Sequence, residues 1–193
     1  INIIVNEDGV GVKTQAPMYA TKGDVVISSR GKVYLKDTQA KGDIKISSTE
    51  TEIGNKLLAE NSINIQNSKL SNKGQIQANN DIAITGNVDS SNLISTNKNI
   101  TISGNLINSG KILSKNINTK DLNNSGELYS ENLTTINLEN SNKINIKENI
   151  NSSNILNKTT NSEIISKNLN TGNLNNKGNV KIVNNVTSQE ITN

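Results

Sequence analysis

Short apolar segments recur along the chain at a near-constant interval, each introduced by a small polar or acidic residue. The stretch "NNDIAITGNV" at 79–88 is answered by "KNITISGNL" at 98–106, both reading Asn or Asp, then Ile-x-Ile, then Gly-Asn and another apolar residue. Aligned on the polar residue, the series runs Asp24, Asp43, Ser62, Asp81, Asn99, Asn116, Asn132, Asn149, Asn168 and Asn185. Its steps are 19, 19, 19, 18, 17, 16, 17, 19 and 17. Each member precedes an apolar residue: Val25, Ile44, Ile63, Ile82, Ile100, Ile117, Leu133, Ile150, Leu169 and Val186. A composition rich in Asn and Ile would scatter such pairs, so the spacing marks a structural repeat.

Each unit holds two further apolar positions. From Ile117 they are Leu122 and Leu128, and from Leu169 they are Leu174 and Val180. Alternation at Ile82/Ile84, Ile100/Ile102 and Ile144/Ile146 is the period of a strand rather than a helix. The third segment commonly follows Asn-x-Gly, as at 72–74, 108–110, 124–126 and 176–178, which reads as a sharp corner in the left-handed conformation. Three strands too short for hairpins predict a triangular coil, each strand lying parallel to its counterpart one repeat away.

The expected fold is therefore all-β: a right-handed parallel β-helix (solenoid) with about ten coils of 16–19 residues and three short strands per coil. At the spacing of neighbouring strands the rod is roughly 45–50 Å long. The whole chain, 1–193, is expected to be a single β-helix fragment, with 1–21 a less regular first coil or lead-in and 22–193 the regular repeats. Helical repeats lack their periodicity here, and an outer-membrane barrel would need longer strands and aromatic girdles.

Composition agrees with a narrow interior. Ile, Leu and Val number 27, 14 and 10 among 193 residues, whereas the aromatics are three Tyr. Asn is the outlier at 38, with only Asn2 and Asn6 before residue 50. The net charge of +3 comes from interspersed charges, so no basic patch for nucleic acid emerges. No apolar run has the length of a membrane span, and "INIIVNEDGV" lacks the regions of a signal peptide. The start without Met suggests a piece of a longer protein.

Chemistry is sparse. His and Cys are absent and Arg30 is the only arginine, which removes the usual neutral-pH base, the thiol nucleophile and common zinc ligands. Asp24 and Asp43 are a conceivable calcium position, but Ser62 interrupts the acidic run. Carboxylates such as Glu127 and Glu131 read as a solvated face rather than an acid–base pair. No catalytic, cofactor-binding or metal residue is assigned, and no enzymatic activity is expected. The repeated corner Asn is expected to bond to backbone at the bend and to its copy in the next coil, an asparagine ladder.

The stretches "KGDVVISSRGKVYLKDTQAKGDIKISS" and "NKGQIQANNDIAITGNV…NSGKILSKNI…NSGELYSENL" resemble the filamentous haemagglutinin-type repeats of large two-partner-secreted exoproteins. That family includes adhesins and the stalks of contact-dependent growth-inhibition toxins. The resemblance covers roughly 22–193 and loosens near 154–163. It implies export through an outer-membrane two-partner-secretion transporter and display at the bacterial cell surface. The function it implies is a structural rod supporting adhesion to host or neighbouring cells. Two alternatives are a carbohydrate-active enzyme on the same scaffold and a direct receptor-binding module. If the segment touches a surface protein or glycan, the expected places are 48–60, with Leu57 and Leu58, and 154–162.

Overall fold

A computed structural model covers residues Ile1–Asn193 and contains no helix. Its 21 strands form one continuous sheet whose pairings are parallel, wound as a solenoid of about ten turns with three sides. Strands on the first side include Val25–Ser29, Ile44–Ser47, Asn99–Ile102 and Asn116–Thr119. The second side includes Leu106–Asn108 and Asp121–Asn124, and the third Gln75–Ala78, Leu93–Thr96 and Lys111–Leu113. In the last coils the strands run on through the corners, as in Glu127–Asn140, with register shifts marking the bends.

The register is the one the spacing predicts. Asn99 lies beside Asn116, Asn116 beside Asn132, Asn132 beside Asn149, and Asn149 beside Asn168. Residues 1–21 also join the stack: Asn2–Val5, Val12–Lys13 and Met18–Ala20 each pair in parallel with the coil that follows.

Three apolar columns fill the interior, one per side. The first runs from Val25 through Ile117 to Leu169, the second from Val33 through Leu122 to Leu174, and the third from Leu57 through Ile112 to Ile164. Each fully buried Ile or Leu contributes about 1.5–3 kcal/mol. Each side contributes one or two such residues per coil, and no aromatic ring is among the buried core residues. In the terminal coils the columns have a neighbour on one side only, so Val186 and Ile191 are exposed.

Where a side ends in a small inward polar residue, that residue ties down the corner. In one coil Thr119 Oγ1 reaches the Asp121 carbonyl at 3.4 Å, Asn124 Nδ2 donates to the Gly126 carbonyl at 3.0 Å, and Ser130 Oγ donates to the Asn132 carbonyl at 2.9 Å. These carbonyls sit at bends, and the side chain two residues earlier meets them. The first side shows how coil length follows. Coils near the amino end carry Ile27, Ile46 and Ile65 at its second inward position and repeat every 19 residues. Where Thr119 replaces the Ile, the corner comes sooner and the step falls to 16.

One expectation about the corners is corrected. No non-glycine residue has positive φ, and Gly74, Gly110, Gly126 and Gly178 do not either. Glycine is required there by close approach: a Cβ on Gly126 would fall on the Gly110 carbonyl of the previous coil.

Candidate functional site

The outer corner column forms the expected asparagine ladder. Asn116 Nδ2 donates to Asn99 Oδ1 at 2.7 Å, and Asn132, Asn149 and Asn168 each donate to the preceding member at 2.9 Å. Asn99 in turn donates to Asp81 Oδ1 at 2.9 Å. Earlier in the column the acids cap backbone instead: Asp24 Oδ1 accepts from the Asp43 amide at 2.8 Å, and Asp43 Oδ1 from the Ser62 amide at 3.2 Å.

A second ladder was missed by the sequence reading. Asn108, Asn124, Asn140 and Asn157 are stacked inside the second corner and fully buried. Asn108 Nδ2 donates to Asn124 Oδ1 at 2.7 Å, Asn124 to Asn140 at 2.9 Å, Asn140 to Asn157 at 3.0 Å and Asn157 to Asn176 at 2.8 Å. Donors in this ladder point toward later coils, and those of the outer ladder toward earlier ones. Part of the signal lay in the Asn-x-Gly triplets, which supply Asn108, Asn124 and Asn176 and whose Gly admits the neighbouring backbone, whereas Asn140 and Asn157 lack that Gly. A third, exposed series joins Asp121, Asn137, Asn154 and Asn173.

Asp24 and Asp43 are held by a lysine. Lys45 Nζ lies 3.4 Å from Asp24 Oδ2 and 3.1 Å from Asp43 Oδ2, so the two carboxylates share an ammonium. The Asp43 amide hydrogen bond, aided by Lys45, holds the Asp24 carboxyl below its usual value of 3.8. A general acid needs the opposite shift. Glu127 pairs with Lys111 at 3.5 Å, whereas Glu131 sits at the next corner, between Ser130 and Asn132.

The segment 48–60 is not a protruding loop. Within it Glu50–Ala59 forms two successive sides in register with both neighbouring coils; Leu57 is core and Leu58 points outward, half-buried. In 154–162 the true excursion is confined to residues 158–162, where Ser162 folds back onto the Thr159 carbonyl at 2.6 Å.

The most extended concave feature is a groove along the third side and the corner after it. Two stretches, each of about 600 Å³, share Ser95, Thr96 and Asn97 and so form one trough. One wall is the outward column Tyr19, Gln39, Leu58, Gln77, Ser95, Leu113, Tyr129 and Asn145, each residue paired with the next across the sheet. Eight rungs at the inter-strand spacing give a length of about 34 Å. The floor holds only small residues, Ala20, Ala40, Ala59 and Ala78 followed by Thr96, Ser114 and Ser130. The far wall is mixed in charge, with Lys41 paired to Glu60 and with Lys115, Glu131 and Lys147 further on.

The chain matches no family model, no curated protein and no solved structure. Its class is set by its architecture: an Asn-laddered parallel β-solenoid.

Proposed function

We propose that the chain is a section of the structural rod of a secreted bacterial surface exoprotein, supporting adhesion to host or neighbouring cells. The observation that carries this reading is the uniform coil-on-coil register, which holds from residue 2 to residue 192. An unbranched stack of this kind gains length with each coil and keeps its cross-section. The filamentous haemagglutinin-type resemblance adds export through an outer-membrane two-partner-secretion transporter and display outside the cell. It also favours a rod without turnover of its own.

The test is to express the parent protein in its own cells with and without the partner barrel. External protease should cleave these repeats at the surface only when the barrel is present. Equal exposure without it sinks the export reading. Adherence should survive in-frame removal of residues 116–131, one whole coil, because the register on either side is restored.

A further inference from the structure

We propose that the groove along the third side binds a linear, uncharged glycan chain lying parallel to the rod axis. The inference concerns the chemistry of this surface and stands whether or not the rod is exported as proposed above. The floor of the trough is small from Ala20 to Ser130, between the outward column and the far wall.

Its lining discriminates between occupants. Tyr19 offers a ring face and Leu58 and Leu113 offer apolar contact, which suits the C–H faces of sugar rings, whereas one face of the Tyr129 ring is taken by Lys111 Nζ, 5.2 Å from its centroid, leaving the other for contact. Between them Gln39, Gln77 and Asn145 present side-chain amides, each able to donate and accept, as a run of hydroxyls requires. Tyr19 is 55% exposed, so its ring is open to a ligand. The charged groups on the far wall are three lysines and two glutamates, and Lys41 is already neutralised by Glu60. That near balance gives a polyanion little attraction. An extended peptide is disfavoured for another reason: it binds a sheet through an unpaired strand edge, and the strands Gln75–Ala78, Leu93–Thr96 and Lys111–Leu113 beneath the middle of the groove are paired on both sides. The groove continues across eight coils with apolar and amide positions interspersed, so a longer polymer gains contacts.

The experiment titrates the purified 193-residue chain with β-1,4-linked glucose and N-acetylglucosamine oligomers from dimer to hexamer, followed by calorimetry and by amide chemical shifts. Binding should be saturable for at least one series, strengthen with oligomer length, and shift residues of the third side. Tyr129→Ala should weaken it about three- to tenfold. Ser95→Arg, which places bulk at the junction of the two stretches, should abolish the gain from dimer to hexamer. Ile107→Ser, an exposed change on the second side, should leave binding unaltered. Circular dichroism identifies any variant that has lost its fold, and Leu113→Ser is the second groove variant should Tyr129→Ala unfold. No binding by either hexamer overturns the proposal. So does binding indifferent to Ser95→Arg and to the folded wall variant, or binding of heparin alone.

Discussion

Asn124 Nδ2 lies 2.9 Å from Asn140 Oδ1, and the same amide group also reaches the carbonyls of Gly126 at 3.0 Å and Lys143 at 3.2 Å. One buried side chain therefore joins two coils and closes a corner in each. Asn124→Ala should cost about 1–3 kcal/mol for each polar partner left unpaired, a drop readable by denaturant unfolding. Asn116→Ala, in the half-exposed outer ladder, should cost less because water replaces the lost amide.

Ile117 packs between Ile100 and Leu133 in the first apolar column. Ile117→Asp buries a charge with no partner, and stability should fall by about 4 kcal/mol or more. An unchanged melting temperature would place the side chain outside.

Thr38 occupies an apolar-column position, fully buried, and its hydroxyl has no hydrogen-bond partner. Thr38→Val keeps the shape and removes the orphaned group. Stability should rise by about 1–2 kcal/mol. A fall in the unfolding midpoint would show that the hydroxyl is satisfied in solution.

Gly126→Ala tests close approach rather than backbone conformation, since φ is ordinary there. The added Cβ meets the Gly110 carbonyl, and separating two coils locally should cost about 1–3 kcal/mol. A neutral result would mean that the coils separate freely at this corner.

Glu52 bridges Lys73 at 2.7 Å and Lys32 at 3.1 Å. The Lys73 hydrogen bond, then that from Lys32, holds its carboxyl below the usual 4.5. A lowered folded-state pKa means that stabilisation is present above pH 4.5 and is lost as pH falls through the folded value. Glu52→Gln should therefore reduce stability at neutral pH and flatten the acid limb of a pH–melting curve. Parallel curves for the two proteins down to pH 3 would contradict the assignment.

The sequence by itself determined the coil, the parallel register and the apolar columns. A polar residue followed by Ile or Leu at nearly every eighteenth position specifies which residues stack, because only one alignment puts every apolar residue inside at once. Leu122 and Leu128 after Ile117 are legible for the same reason: strand alternation has period two, and a shift of one residue would turn them all outward. Only the tertiary structure decided the direction of corner side chains. Asn116 and Asn124 look alike along the chain, yet one lies half-exposed at the start of a side and the other buried at the end of one. The bend between strands, fixed by the coils above and below, makes that choice. The same limit hid the role of Gly126, whose constraint is a carbonyl sixteen residues earlier in sequence. It also hid the groove, because residues 19 to 145 become one surface only when eight coils are stacked in register.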